Sequence, residues 1–325
     1  EIVFICCIPL QHSEFRVMRA VHAFIAEVAA ELINQGHKFT AYDTVTTDVD
    51  ELIKRADDAE VLMIANHPLP GAVIEADKSL KMISVAFVGI DHVDTEACKN
   101  RGVAIYNTGG YCDDAVAELA LGLTLDCLRN ITKCNAAVQA CEGKGSLAGH
   151  ELAGRRVGIV GTGAIGCRTA ELFKAFKCNL VGYSRSERAA AKSLGIKYMP
   201  LDQLMKEADI VSVHTPLTAD TKGLIGSKEV GEMKQGAILI NTSRGPVVDT
   251  EALAAALKAG KIFAGIDVYE KDPPLAADHP LIGAPGLVCT PHVGFDTRES
   301  IDRRAAMVFE NIGLWKRGSK TRKML

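Results

Sequence analysis

A chain of 325 residues is long for one compact domain and short for three, so two domains are expected. Hydrophobic residues make up 48% and charged residues 24%, the balance of a soluble globular protein rather than of a disordered or fibrous one. A formal net charge of −3, with both signs interleaved, provides no basic stripe for nucleic acid and no acidic tail, and the longest apolar runs, such as residues 119–125, are too short to span a membrane.

The start, Glu1-Ile2-Val3-Phe4, lacks both Met and the basic region of a signal peptide and reads as a processing edge. From there to residue 107, short apolar runs alternate with helical patterns. Residues 2–5 read as a strand and 18–33 as a helix stopped at Gly36. Further strands are expected over 39–42, 61–65, 82–85 and 103–106. Runs that are apolar throughout, rather than at every second residue, mark strands covered on both faces, as in a parallel sheet. A long helix without internal proline follows over 113–130. The small residues of 141–149 read as a linker into a second α/β unit. Its expected strands are 156–160, 180–183, 210–214, 237–241, 263–267 and 287–290, with helices over 164–176, 201–206 and 250–259. A last helix is expected to open at Asp296, with Glu299 as its capping-box partner, and to run to Trp315.

Ten cysteines invite a metal or disulfide reading, but their spacing opposes it. Cys6-Cys7, Cys98, Cys112, Cys127, Cys134, Cys141, Cys167, Cys178 and Cys289 contain no CxxC pair and no zinc-type Cys/His arrangement. They read as reduced structural thiols of a cytoplasmic protein, and no metal site is expected. His12, His22, His37 and His150 read as surface or satisfied histidines.

The first chemical signal is Gly161-Thr162-Gly163-Ala164-Ile165-Gly166, which follows a predicted strand and opens a helix. The first glycine permits a tight turn, the second lets a pyrophosphate approach the backbone, and the third lets strand and helix pack closely. Free N–H groups at the helix start then receive phosphate. The next strand ends in Tyr183-Ser184-Arg185-Ser186, so Ser184 stands where an NAD-selective site carries a carboxylate for the ribose 2′-hydroxyl. A hydroxyl beside a guanidinium instead suits a 2′-phosphate. NADP(H) is therefore the expected cofactor, held by Ser184, Arg185, Ser186 and Arg188. NAD(H) remains the alternative if Arg185 only covers the adenine.

Four distant segments supply polar residues that a packed core would not choose. They are Val88-Gly89-Ile90-Asp91, Asn241-Thr242-Ser243-Arg244-Gly245, the stretch from Gly265 to Pro273, and Thr290-Pro291-His292-Val293-Gly294. Three lie just past predicted strands, where open α/β sheets hold their ligands. An arginine, carboxylates and a histidine suffice to reduce a ketone beside a carboxylate. Arginine grips the carboxylate and the carbonyl oxygen, a protonated histidine supplies the proton, and a paired acid favours that protonated ring.

With GTGAIG at 161–166, NTSRGPVVDTEAL at 241–253, AGIDVYEKDPP at 264–274 and CTPHVGFDT at 289–297, the chain resembles the D-isomer-specific 2-hydroxyacid dehydrogenases over essentially its whole length. The resemblance implies an arginine–acid–histidine set at Arg244, Asp272 and His292, and substrate carboxylate binding by backbone N–H groups at Val88 and Gly89. It also implies that Asp267 lies by the nicotinamide, that His214, Thr215 and Pro216 line the adenosine, and that Thr242 and Gly294 are cofactor-binding residues. Tyr111 stands where lactate- and hydroxyisocaproate-type members have a substrate-facing tyrosine. Two departures stand out. The acid is usually glutamate, so Glu270 competes with Asp272. The proline usual after Asn107-x is replaced by glycine, in Asn107-Thr108-Gly109-Gly110.

The resemblance further implies two doubly wound α/β domains. One is a Rossmann dinucleotide-binding domain over 108–292; the other is a smaller flavodoxin-like substrate domain from 1–107 and 293–325. The reactants are expected to meet in the cleft between them, and the helix at 113–130 is expected to form a homodimer surface. The implied activity is reduction of a 2-keto acid to the D-2-hydroxy acid by NAD(P)H. The Ser-Arg pair favours glyoxylate or hydroxypyruvate, whereas Tyr111 favours a D-lactate- or hydroxyisocaproate-type enzyme using NADH. A corepressor-like protein that senses NAD(H) is the alternative of another class. The chain carries nothing like the regulatory extension of long-form 3-phosphoglycerate dehydrogenases, and Asp272 stands where formate-type relatives carry glutamine.

Overall fold

The computed structural model of the chain describes residues 2–4, 29–30, 32–42 and 44–325. Most of the expected helix over 18–33 lies outside the described residues, as do Cys6, Cys7, His12 and His22. The chain divides into two compact units, Glu1–Tyr111 with Thr297–Leu325, and Cys112–Asp296.

In the first unit, β1 (Ile2–Phe4), β2 (Phe39–Ala41), β3 (Val61–Ile64), β4 (Met82–Val85) and β5 (Ala104–Tyr106) form a parallel sheet in the order β2-β1-β3-β4-β5. That is the flavodoxin-type order, in which the chain reverses direction across the sheet beside its first strand. Every residue of β3 and β4 is buried. Their side chains alternate between two cores, as a pleated strand requires. Leu62, Ile64, Ile83 and Val85 pack against helices Val49–Ala56, Gly71–Ala76 and Thr95–Arg101. Val61, Met63 and Met82 face Val308, Phe309 and Ile312 of the last helix, Arg298–Lys316.

The second unit is a seven-stranded parallel sheet in the order β12-β11-β10-β9-β6-β7-β8. Its strands are β6 (Arg156–Val160), β7 (Asn179–Tyr183), β8 (Lys197–Tyr198), β9 (Ile210–Val213), β10 (Ala237–Asn241), β11 (Ile262–Ile266) and β12 (Leu287–Cys289). Renumbered from β6, the order is 3-2-1-4-5-6-7, a Rossmann sheet extended by one strand. Val157, Ile159, Ile238 and Ile240 pack towards helices Asp113–Arg129 and Ala164–Ala175. Val160, Val211, Val213 and Leu239 pack towards Leu201–Glu207 and Thr250–Lys258 on the other face. The expected α/β class is thus the observed one.

Two local expectations are corrected. The last helix is capped by Thr297, whose hydroxyl accepts from Ser300 N at 3.2 Å while Ser300 Oγ accepts from Thr297 N at 3.2 Å. Asp296 does not cap it, because its N–H closes the preceding turn on Val293 O at 2.9 Å. The chain also forms a helix over Ile131–Gln139, before the expected linker, and this helix has no buried residue. A stretch without a core-facing side gives the sequence no apolar stripe by which to read it.

Candidate active site

All strands of the second unit are parallel, so the residues that follow β6, β9, β10, β11 and β12 gather along one edge of its sheet. The order reverses between β6 and β9, and the Gly-rich turn stands there. Gly161 has φ +97°, and its N–H donates to Tyr183 O at 2.8 Å. A Cβ on Gly166 would lie 2.0 Å from Gly161 O, so turn and helix meet backbone to backbone. A Cβ on Gly163 would meet nothing within 4 Å. Gly163 is also the N-cap of Ala164–Ala175, and no side chain caps that helix. Its first N–H groups therefore border open space, the cradle a pyrophosphate needs.

Beside the turn, His214 and Thr215 follow β9 and Thr242 follows β10. His214 Nε2 lies 2.8 Å from Ser212 Oγ, and burial pushes the ring's pKa down to about 3, so it is neutral. Its Nδ1, Thr215 Oγ1 and Thr242 Oγ1 are buried with no hydrogen-bond partner in the protein. Such atoms are costly unless a ligand satisfies them. The open cradle and these three atoms fit a bound dinucleotide. Towards the ribose end, Ser184 is half-buried, and Arg185, Ser186 and Arg188 are exposed.

At the other end of the same edge, Asn241 shapes the approach to Arg244. Its Nδ2 donates to Arg244 O at 2.9 Å, and its Oδ1 accepts from Ser243 N at 3.1 Å. Gly245 follows against the backbone of Tyr269, where a Cβ would lie 2.1 Å from the carbonyl carbon. Tyr269 in turn donates its hydroxyl to Thr290 O at 3.0 Å. The arginine loop, the acid loop after β11 and the histidine loop after β12 are thereby joined. We expect Gly245→Ala to cost about 1–3 kcal/mol, since only a backbone shift relieves the clash. A fall in melting temperature together with kcat/KM would bear this out; unchanged values of both would contradict it.

His292 has φ +60°, a left-handed conformation uncommon for a residue with a side chain. Asp267, 1% exposed, straddles it. Its carboxylate accepts from Thr290 Oγ1 at 2.6 Å, from Val293 N at 2.9 Å and from Gly294 N at 2.8 Å. Burial pushes the Asp267 carboxyl up, against the lowering effect of these donors. His292 Nδ1 lies 2.7 Å from Asp272 Oδ1, and the ring stands edge-on to Phe295 with centroids 5.4 Å apart. The His292 hydrogen bond holds the Asp272 carboxyl below its usual range, against burial, and the charges of His292 and Arg244 add to the effect. Glu270 has other partners: Thr250 Oγ1 and, at 3.4 Å, His279 Nε2. With Nδ1 engaged, Nε2 is the His292 nitrogen left for proton exchange.

Val88, Gly89 and Tyr111 belong to the first unit. Val88 and Gly89 follow β4, where Asn107 Nδ2 donates to Val88 O at 2.7 Å and fixes the loop. Tyr111 is 1% exposed. Its ring is edge-on to Phe87 at 6.3 Å, and the Arg304 guanidinium lies 5.8 Å from its centroid. Sequence reading did not single out Thr290, Asn241 or Asn107 as anchors. Each is a short polar residue at or just beyond a strand end, the one local signal available.

A sequence profile of the D-isomer specific 2-hydroxyacid dehydrogenase NAD binding domain matches residues 121–294. The chain is 37% identical over 269 residues to a hydroxypyruvate reductase of Thermotoga maritima, covering 81% of this chain and 87% of that protein. It is also 37% identical over 277 residues to a glyoxylate reductase of Korarchaeum cryptofilum, covering 82% of each. Among solved structures, the acyclic imino acid reductase Bsp5 in complex with NADPH and D-Arg superposes with a TM-score of 0.85 at 25% identity, over 100% of this chain and 99% of that one.

Proposed function

The chain belongs to the D-isomer specific 2-hydroxyacid dehydrogenases, and from that premise we propose that it reduces glyoxylate, hydroxypyruvate or a close 2-keto acid to the D-2-hydroxy acid, with NADPH as preferred reductant. The observation that carries this reading is the His292–Asp272 pair at 2.7 Å, with the Arg244 charge bearing on the same carboxylate. It unites a proton donor, the acid that favours its protonated form and a cation for the substrate.

The unit Cys112–Asp296 takes the dinucleotide and the unit formed by Glu1–Tyr111 with Thr297–Leu325 takes the keto acid. When bound, the reduced nicotinamide supplies the hydride. Arg244 binds the substrate carboxylate and carbonyl oxygen, and the Val88 and Gly89 N–H groups are further donors to the carboxylate. His292 holds a proton on Nε2 and delivers it to the oxygen as negative charge develops there. Asp272 stays ionised, accepts a hydrogen bond from Nδ1–H and stabilises the imidazolium until its Nε2 proton has been delivered. Thr242, Asp267 and Gly294 border the nicotinamide, and His214, Thr215 and Pro216 the adenosine. The backbone of Gly161, Gly163, Ala164, Ile165 and Gly166 receives the pyrophosphate; Ser184, Arg185, Ser186 and Arg188 receive the 2′-phosphate. Two features support NADPH: no carboxylate follows Tyr183 before Glu187, and the structurally similar Bsp5 binds NADPH. A cytoplasmic homodimer completes the reading. What supports the homodimer is that Ile131 and Val138, on the helix Ile131–Gln139, are apolar yet 54% and 68% exposed.

The test is a panel of glyoxylate, hydroxypyruvate, pyruvate and 2-ketoisocaproate with NADPH and NADH, followed at about 340 nm, with chiral analysis of the product. Formation of the D-acid, with a higher kcat/KM for NADPH, is expected. An NADH preference removes the cofactor proposal. Failure to turn over any 2-oxo acid removes the reductase reading and favours a ligand-sensing protein.

A further inference from the structure

Tyr198, on the edge strand β8, is 36 residues from Thr162 in sequence, yet its hydroxyl lies at the cofactor turn. The phenolic oxygen is 2.6 Å from Thr162 Oγ1, inside the Gly-rich turn, and accepts from Arg188 N at 3.0 Å. Since the Arg188 amide is a donor, the phenol's own proton is available to Thr162 Oγ1. One hydroxyl thus bridges the turn that cradles the pyrophosphate and the loop that follows β7. Tyr198 is brought there by strand pairing: it sits opposite Gly182, and Met199 N donates to Gly182 O at 3.0 Å. Gly182 leaves the room, because a Cβ there would lie 2.5 Å from Ile196 Cγ2 and 3.4 Å from Thr162 Cγ2. The positive charge of Arg188 is felt at Cys167, whose thiol donates to Thr162 O at 3.5 Å.

We propose that Tyr198 is a positioning residue for the 2′-phosphate end of the cofactor: its hydroxyl locks the 184–188 loop to the Gly-rich turn, so that two phosphate-binding elements keep one fixed spacing. The proposal rests on the NADPH reading above. Without the hydroxyl, the hydrogen bond left between loop and turn among the described residues is the backbone one from Gly161 N to Tyr183 O, at the loop's other end. Arg188 then loses its fixed backbone, and the 2′-phosphate loses a preorganised partner. The pyrophosphate and the reacting end keep theirs.

The experiment compares wild type with Tyr198→Phe, and with Thr162→Val and Thr162→Ser, in KM and kcat for NADPH and NADH and in affinity for 2′,5′-ADP and 5′-AMP. Loss of one such hydrogen bond is expected to raise KM for NADPH and Kd for 2′,5′-ADP about three- to tenfold. For Tyr198→Phe, KM for NADH, affinity for 5′-AMP, kcat and KM for the keto acid are expected to stay within about twofold. Thr162→Val reproduces the effect on 2′,5′-ADP and Thr162→Ser restores it. If the wild type prefers NADPH but Tyr198→Phe keeps the same NADPH-to-NADH ratio, the Tyr198 proposal falls and the cofactor reading survives. The Tyr198 proposal falls as well if melting temperature drops and all affinities weaken equally, as a merely structural hydroxyl would produce. A wild type that prefers NADH overturns both.

Discussion

His292→Asn is expected to lower kcat for 2-keto acid reduction by about 10³-fold while leaving KM for the cofactor within about twofold. Asparagine preserves a short polar side chain but cannot deliver a proton to the developing alkoxide. The loss should therefore fall on the chemical step, not on binding. The left-handed backbone at His292 (φ +60°) also favours asparagine over other replacements, so the loop should survive the change. The pairing acid sets the pH range over which the effect holds. The Asp272 carboxyl is held below its ordinary value, chiefly by the His292 hydrogen bond. A depressed folded-state pKa means the pair is fully present above the ordinary carboxylate value and is lost as pH falls through the depressed one. The Asp272 carboxylate should thus stay ionised from neutral pH down to the mildly acidic range. A kcat for His292→Asn within tenfold of wild type would remove His292 as the proton donor.

The second large effect is expected at Arg244. Arg244→Lys should reduce kcat/KM for the keto acid by about 10²–10³-fold, the loss seen when one preorganised oxyanion donor is removed. Lysine keeps the charge but not the planar fork that holds a carboxylate and a carbonyl together. Arg244→Ala should lose more, because the substrate carboxylate then enters without a charged partner. Steady-state kinetics with saturating cofactor, and separately cofactor binding, decide between roles. If affinity for the dinucleotide falls as far as kcat/KM for the keto acid, Arg244 organises the cofactor side and the proposed grip on substrate is wrong.

Legibility in the sequence followed physical range. Apart from the two-residue edge strand β8, which no reading expected, the strands of both units were readable because parallel strands are buried on both faces and leave unbroken apolar runs; β3, β4 and β9 are buried at every position. The Gly-rich turn was readable because its requirements lie within six residues. The helix Ile131–Gln139 was not, since it buries nothing. Nor was the true cap of the last helix, because Asp296 and Thr297 both suit an N-cap by residue type and only the turn closed by Asp296 separates them. Within the site, an arginine, an acid and a histidine could be singled out by type and setting. Which acid meets the histidine could not. Glu270 and Asp272 are two residues apart on one loop, and their partners are set by segments far away: Thr250 and His279 engage Glu270, and His292 engages Asp272. Tyr198 gave no signal, because its link to Thr162 spans 36 residues and a strand pairing.

The choice between these two acids decides how the proton donor is held. The measurement that tests it is the pH profile of kcat/KM for 2-keto acid reduction in Asp272→Asn and Glu270→Gln, alongside wild type. Asp272→Asn removes the charge that favours a protonated ring. It is expected to lower the plateau by about 10²-fold and to move the alkaline limb to lower pH. Glu270→Gln, whose partners lie outside the pair, is expected to keep the wild-type plateau and limb. A lowered plateau and moved limb in Glu270→Gln, with Asp272→Asn unchanged, would contradict the pairing of Asp272 with His292.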